Sequence, residues 1–275
     1  QTFTVKNTGK TIKKYTLKHV PAGTAVTVTP GTIVAATGPV PLTKAAASVT
    51  LSTTSFTLLP GLSLPIVAKF TLPKGDASTF PVYSGFIEVS SGPTDNLHVT
   101  YLGLGASLKD KQVLDNTDQL VGVPLPIVLN STLQAQVNPT NYTFKGQDVP
   151  IVLFRLVFGT PQFRIDLVDS NIQIAGTIRP RGLLSHPSYT FPRPNQGGSF
   201  SKVKVVGPLF ELDYIPRNAL DNGFSIIPVS TTFANGTRIP NGSYRVLVRA
   251  LRVTGDATKE EDYDSWLSPI IGFRA

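Results

Sequence analysis

From one end to the other, the chain is written in short runs that alternate polar and apolar residues, and nearly every run stops at proline, glycine or asparagine. Alternation with a period of two puts successive side chains on opposite faces of an extended strand. Apolar spacing of three and four residues, sustained over ten or more positions as an amphipathic helix requires, is absent. Proline and glycine each occur 23 times in 275 residues, so helix-compatible stretches are cut short wherever they begin. The chain is therefore expected to be all-β.

In the first half, residues 2–6 and 11–18 read as strands joined by a tight hairpin at Asn7-Thr8-Gly9-Lys10, whose Asn and Gly tolerate positive φ. Further strands are expected at 24–29, 48–51, 62–72, 85–89 and 97–102, separated by turns such as Pro30-Gly31, Pro60-Gly61 and Ser91-Gly92-Pro93. About seven short strands at this spacing describe a fibronectin-III or immunoglobulin-like β-sandwich over residues 1–105. Residues 106–146 read as a connecting segment. A second immunoglobulin-like β-sandwich is expected over 147–275, with strands at 151–158, 162–168, 172–178, 202–206, 209–215, 224–233, 244–253 and 270–274. Between Pro180 and Gly198, the prolines at 180, 187, 192 and 194 mark a long exposed loop.

Much chemistry is excluded by composition. Without cysteine there are no disulfides, thiolate nucleophiles or thiolate metal sites. The three histidines, His19, His98 and His186, share no metal-ligand spacing, and no cofactor or metal is expected. The acidic run Asp256, Glu260, Glu261, Asp262 and Asp264 lacks the register of a calcium loop and reads as solvated, with calcium as the alternative. Glu88 or Glu211 could supply one carboxylate of a hydrolytic pair, but each alternates into a strand.

Net charge is +8, and residues 1–110 carry 9 basic against 4 acidic side chains, with Lys6, Lys10, Lys13, Lys14 and Lys18 clustered near the start. Neighbouring Lys13 and Lys14 must point to opposite faces of a strand, so solvated edges are expected rather than one patch. An acidic polymer is the alternative ligand, with Tyr263 and Trp266 as residues that could stack on a sugar ring. Basic residues are not interleaved with aromatics in a nucleic-acid motif. No apolar stretch reaches the roughly 18 residues of a membrane span.

Four glycosylation sequons, at Asn130, Asn141, Asn235 and Asn241, point to a secreted, extracellular glycoprotein. Methionine is absent, so Gln1 is expected to be a processed or artificially defined end within a larger protein.

Three segments carry a family resemblance: Phe3-Thr4-Val5-Lys6-Asn7-Thr8-Gly9 with Tyr15-Thr16-Leu17, Pro81-Val82-Tyr83-Ser84-Gly85-Phe86-Ile87, and Leu97-His98-Val99-Thr100-Tyr101-Leu102-Gly103. Together they resemble the fibronectin-III-like module, of C5a-peptidase type, that follows the catalytic domain in large secreted subtilisin-like serine proteases. The second half is similar to the further C-terminal β-domain of fungal members through Ile239-Pro240-Asn241-Gly242-Ser243-Tyr244-Arg245-Val246. Neither the Gly-Thr-Ser nor the Gly-Thr-His setting of the subtilase triad occurs, so the chain itself is expected not to be an enzyme. The resemblance implies a non-catalytic accessory region that stabilises the protease domain of the same precursor and guides protein substrates. Apolar residues around Phe80 to Phe86 would form the interface. The alternative function is a free-standing module that binds cell-wall polysaccharide.

Overall fold

The computed structural model describes residues 1–172, 203–219 and 223–275, and these divide into two compact units, Gln1–Ser107 and Leu108–Ala275. The strand expected at 172–178, the loop from Pro180 to Gly198 and His186 lie in whole or nearly so outside the described residues.

The first unit contains β1 (Thr2–Lys6), β2 (Lys13–Ala25), β3 (Leu42–Thr43), β4 (Ser48–Leu51), β5 (Ser55–Leu58), β6 (Ser63–Thr71), β7 (Val82–Ser90) and β8 (Asn96–Leu104). One sheet has the order β1-β6-β4; the other has the order β3-β2-β7-β8, with β5 also paired to β2. Every pairing is antiparallel. Val5, Ile66 and Ala68 from the first sheet and Tyr15, Leu17, Leu58, Ile87 and Val89 from the second form one buried cluster between them. This is a β-sandwich, and the alternation of the strands supplies its two inner faces.

Two local expectations need correction. Residues 7–10 do not close a hairpin, because β1 pairs with β6 whereas β2 pairs with β5 and β7. The chain crosses between sheets there, and fully buried Asn7 holds the crossing. Its Nδ2 donates to the carbonyls of Thr11 (2.8 Å) and Leu58 (3.0 Å), and its Oδ1 accepts from the Gly9 amide (3.0 Å). The strand expected to start at Thr24 is instead the end of β2. A register shift between Pro21 and Gly23, with Gly23 at φ +123°, lets the strand continue past a proline that would otherwise end it.

The second unit contains β9 (Ile127–Leu129), β10 (Thr140–Tyr142), β11 (Ile151–Phe154), β12 (Thr160–Asp169), β13 (Val205–Ile215), β14 (Ser225–Pro228), β15 (Gly242–Leu251), β16 (Tyr263–Leu267) and β17 (Ile271–Phe273). The larger sheet runs β10-β17-β15-β12-β13 with β16 paired to β15, and the smaller runs β14-β11-β9. Val128, Val152 and Phe154 of the smaller sheet share a core with Phe163, Ile165, Leu167, Val246, Val248, Ile271 and Phe273 of the larger. The all-β, two-sandwich architecture thus holds among the described residues.

Residues 108–146 are integral to this second unit rather than a connector. They supply β9 and β10 and the buried side chains Val113, Leu114, Val128 and Tyr142. The strands expected at 202–206 and 209–215 are not separate: β13 runs unbroken from Val205 to Ile215, and shifts in the β12–β13 register accommodate Pro208, which lies opposite Asp166.

Two buried groups in this segment give the unit an alkaline signature. Burial of Lys111 lowers its pKa to about 8, against the favourable field of Asp264, and burial of Tyr142 raises its hydroxyl to about 12. Between about pH 8 and the ordinary lysine value the unfolded chain binds more protons at Lys111, so stability rises with pH. Above the ordinary tyrosine value of 10 the folded chain holds its proton longer at Tyr142, so stability falls. Denaturant titrations from pH 7 to 12 should therefore show these two groups contributing a rise and then a fall, with the rise removed by Lys111→Met and the fall reduced by Tyr142→Phe.

Candidate interaction surface

The five-stranded sheet of the first unit turns one face to the core and one to solvent, and the register fixes the membership of each. Residues opposite one another in an antiparallel ladder share a face. Thr24, Tyr83 and Gly103 are in register on the inner face; Ala25, Val82 and Leu104 are in register on the outer face, and Leu42 continues that row from β3. The outer row is therefore Leu42, Ala25, Val82 and Leu104. The next row holds Gly23, Ser84 and Leu102, and the one after it Val20, Phe86 and Thr100. Leu42 and Leu102 are 78% and 76% exposed. Further along the same face the character reverses: Lys18, Glu88 and His98 form one row, and Thr16, Ser90 and Asn96 another. One half of the face is apolar and the other is polar.

Behind this face, β7 and β8 are locked by two reciprocal contacts. Tyr101 lies opposite Gly85 and Tyr83 opposite Gly103, so each tyrosine ring occupies the space left by the other strand's glycine. The Tyr101 hydroxyl also meets His19 Nε2 at 2.7 Å, and its ring packs on Phe70 with centroids 4.8 Å apart. Burial of His19 lowers its pKa, which favours the neutral ring in that contact. His98 is on the outer face, with its ring edge-on to Phe86 at 4.6 Å.

The stretch from Phe80 to Phe86 was expected to be an exposed apolar surface, and the fold divides it. Val82, Ser84 and Phe86 face outward, whereas Tyr83 and Gly85 face the core and Pro81 is buried. Leu42, Leu102 and Leu104 complete the patch. They escape sequence reading because strand register decides which leucine of an alternating pattern faces water.

The candidate polysaccharide contacts fall in different units, Lys13 and Lys14 in the first and Tyr263 and Trp266 in the second. Lys13 and Lys14 do point to opposite faces, and Lys13 is engaged with Asp95 of the β7–β8 turn. Asp95 bonds to both Lys13 and Ser91, which lowers its pKa, while the same contact raises that of Lys13. Lys14 is exposed. Tyr263 is buried, its hydroxyl bonded to Gln162 (2.6 Å) and the Ala257 carbonyl (3.1 Å). Trp266 is half-buried against the core of the second unit. Three positions apart on β16, the two rings lie on opposite faces of the strand, so they cannot form one stacking platform.

The acidic run is likewise not a solvated loop throughout. Asp262 and Asp264 are buried: Asp262 pairs with Lys109 (2.9 Å) and accepts the Asp256 amide (2.8 Å). Asp264 pairs with Arg252 Nε (3.0 Å) and accepts the amides of Val113 (2.6 Å) and Leu114 (3.1 Å). These carboxylates bond to the protein's own cations and amides. Among the described residues no group of three or more His, Cys, Asp or Glu side chains could hold a metal ion. Glu88 faces Lys18 across β2 and β7, and Glu211 lies 3.6 Å from Arg164.

All four sequons lie in the second unit. Asn141, Asn235 and Asn241 are exposed and Asn130 is half-buried. At Asn130 and Asn235 the Oδ1 accepts from the backbone amide and hydroxyl of Thr132 and Thr237, while Asn241 is bonded to Ala275 through its amide group. No helix among the described residues is long and apolar enough to cross a membrane.

With sandwich and surface defined, comparison gives the first unit a class: a family model described as an Fn3-like domain matches residues 1–102. No curated protein matches the chain. Two solved structures overlap it loosely: the Pseudomonas aeruginosa CupB2 chaperone and a chaperone–tip adhesin complex described as vital for synergistic activation of CFA/I fimbriae biogenesis. The first is 10% identical over 97% of this chain and 90% of its own, with a TM-score of 0.24. The second is 11% identical over 98% and 90%, with a TM-score of 0.26. Likeness at that level carries no argument about this chain.

Proposed function

We propose that the chain is a non-catalytic accessory region of a secreted subtilisin-like serine protease, and that its Fn3-like domain seats on the protease domain through the apolar half of its outer sheet face. The observation that carries this reading is the contiguous row of Leu42, Ala25, Val82 and Leu104 with Leu102 beside it, in a domain whose core is complete without them. Apolar side chains aligned across four strands gain by removal from water, at roughly 25 cal/mol per Å² buried. The exposed sequons in the second unit support a secretory route.

Docked in this way, the domain would stabilise the protease and limit the directions from which a protein substrate reaches the cleft. Mixing the purified chain with the catalytic domain of its precursor should raise that domain's Tm and slow its autolysis. Leu102→Asp together with Val82→Asp, both on the outer face, should abolish the gain without lowering the chain's own Tm appreciably. A catalytic domain that neither binds the chain nor melts at a higher temperature in its presence would refute the reading.

A further inference from the structure

We propose that β8 is a strand-addition edge at which two copies of this chain pair, antiparallel, about a two-fold axis through Thr100. Among the described residues β8 ends its sheet, paired to β7 on one side only. The β7–β8 ladder runs without a register shift from Val82 opposite Leu104 to Ser90 opposite Asn96. It is bracketed by the Gly105 amide on the Pro81 carbonyl (2.7 Å) and the Ser91 amide on the Asp95 carbonyl (3.0 Å). Bonded pairs alternate in an antiparallel ladder, so Leu97, Val99, Tyr101 and Gly103 direct their backbone groups to β7. His98, Thr100 and Leu102 direct theirs to the open edge.

Sheet edges of soluble proteins are blunted by lysine, proline, bulges or short length. The opposite edge of this sheet follows that practice: β3 has two residues, preceded by Pro41 and followed by Lys44. β8 is nine residues long, Asn-Leu-His-Val-Thr-Tyr-Leu-Gly-Leu, with no bulge, proline, lysine, arginine or carboxylate.

The occupant is identified by charge and by self-complementarity. A net charge of +8 opposes association of two copies, and β8 is a strip on which self-pairing sets no lysine, arginine or carboxylate opposite its own kind. Pairing about Thr100 sets His98 opposite Leu102 and Leu97 opposite Gly103, and the pairs with outward backbone groups on one copy meet outward groups on the other. Leu97 and Leu102, 64% and 76% exposed, are then covered across the seam. This edge shares Leu102 with the apolar face proposed to meet a protease domain, but it is defined by the backbone groups of β8, and its test needs no protease.

Sedimentation of the full chain over a concentration series should show a reversible monomer–dimer equilibrium. Thr100→Lys, which opposes two ammonium groups at the axis, should raise the dissociation constant about tenfold or more. Thr100→Pro, which removes only an outward amide, should do likewise, both with an unchanged Tm. The chain contains no cysteine, so Thr100→Cys reports the register directly. Two Thr100 positions about 5.5 Å apart lie within disulfide range, and mild oxidation should cross-link them far faster than a Thr50→Cys control. A wild-type chain that stays monomeric at every concentration, or a dimer that survives both edge variants and cross-links no faster at position 100 than at 50, overturns the proposal.

Discussion

Replacing Asp264 with alanine is expected to cost the second unit about 3–5 kcal/mol, because it leaves buried charge and buried amides without their acceptor. Asp264 is fully buried on β16, with one oxygen on the Arg252 guanidinium and the other shared by the amides of Val113 and Leu114. It thereby joins a residue near the end of the chain to the segment that opens the unit, 150 residues earlier. Loss of the carboxylate also removes the favourable field on buried Lys111. A domain of this size should lose about 10 °C in Tm, read by calorimetry as a shift confined to the unit's own transition. Asp264→Asn keeps the shape and one acceptor oxygen but not the charge, so its loss should be intermediate. An alanine variant that melts with wild type would show the contact to be dispensable.

This contact marks where sequence reading ends. A run such as Glu260-Glu261-Asp262-Tyr263-Asp264 is polar by any local measure and reads as solvent-facing. Its partners, Lys109, Arg252 and the amides of 113 and 114, become neighbours only through the packing of the unit. For the same reason β16 was missed: Asp264 takes an alternating position that an apolar side chain would advertise. The short strands β9 and β10 sit among prolines and charges and carry little local pattern, although Val128 and Tyr142 enter the core. In contrast, β6 and β7 alternate along nine residues and β12 and β15 are apolar-rich runs of ten, so a strand was legible at each. Asn7 shows a subtler limit. An Asn-x-Gly turn was legible, but whether it joins two strands of one sheet or passes between sheets depends on which strands pair, and that is decided by contacts dozens of residues away.

One signal for the pairing was nevertheless present in the sequence. Tyr83-Ser84-Gly85 and Tyr101-Leu102-Gly103 repeat the same order, and only an antiparallel pairing brings each tyrosine opposite the other's glycine. That arrangement predicts a large and unequal response to adding one methyl group. A Cβ at Gly85 would enter the Tyr101 ring and approach the Val20 carbonyl oxygen to 2.7 Å, so the obstacle includes backbone that a rotamer change cannot clear. The three nearest atoms to a Cβ at Gly103 all belong to the Tyr83 side chain, which can move. Gly85→Ala should therefore destabilise the first unit at the upper end of the about 1–3 kcal/mol typical of overpacking, and Gly103→Ala by less. Since the Tyr101 ring packs beside His19, displacing it should lessen the burial that lowers the His19 pKa and return that pKa toward its ordinary value. That shift is readable by proton NMR of the imidazole in Gly85→Ala. Because Tyr101→Ala carries its own cavity cost, the ring clash is isolated by a double-mutant cycle: in a Tyr101→Ala background Gly85→Ala should cost less than in the wild type but not nothing, since the backbone clash remains, and a cost of zero there would place the whole effect in the ring.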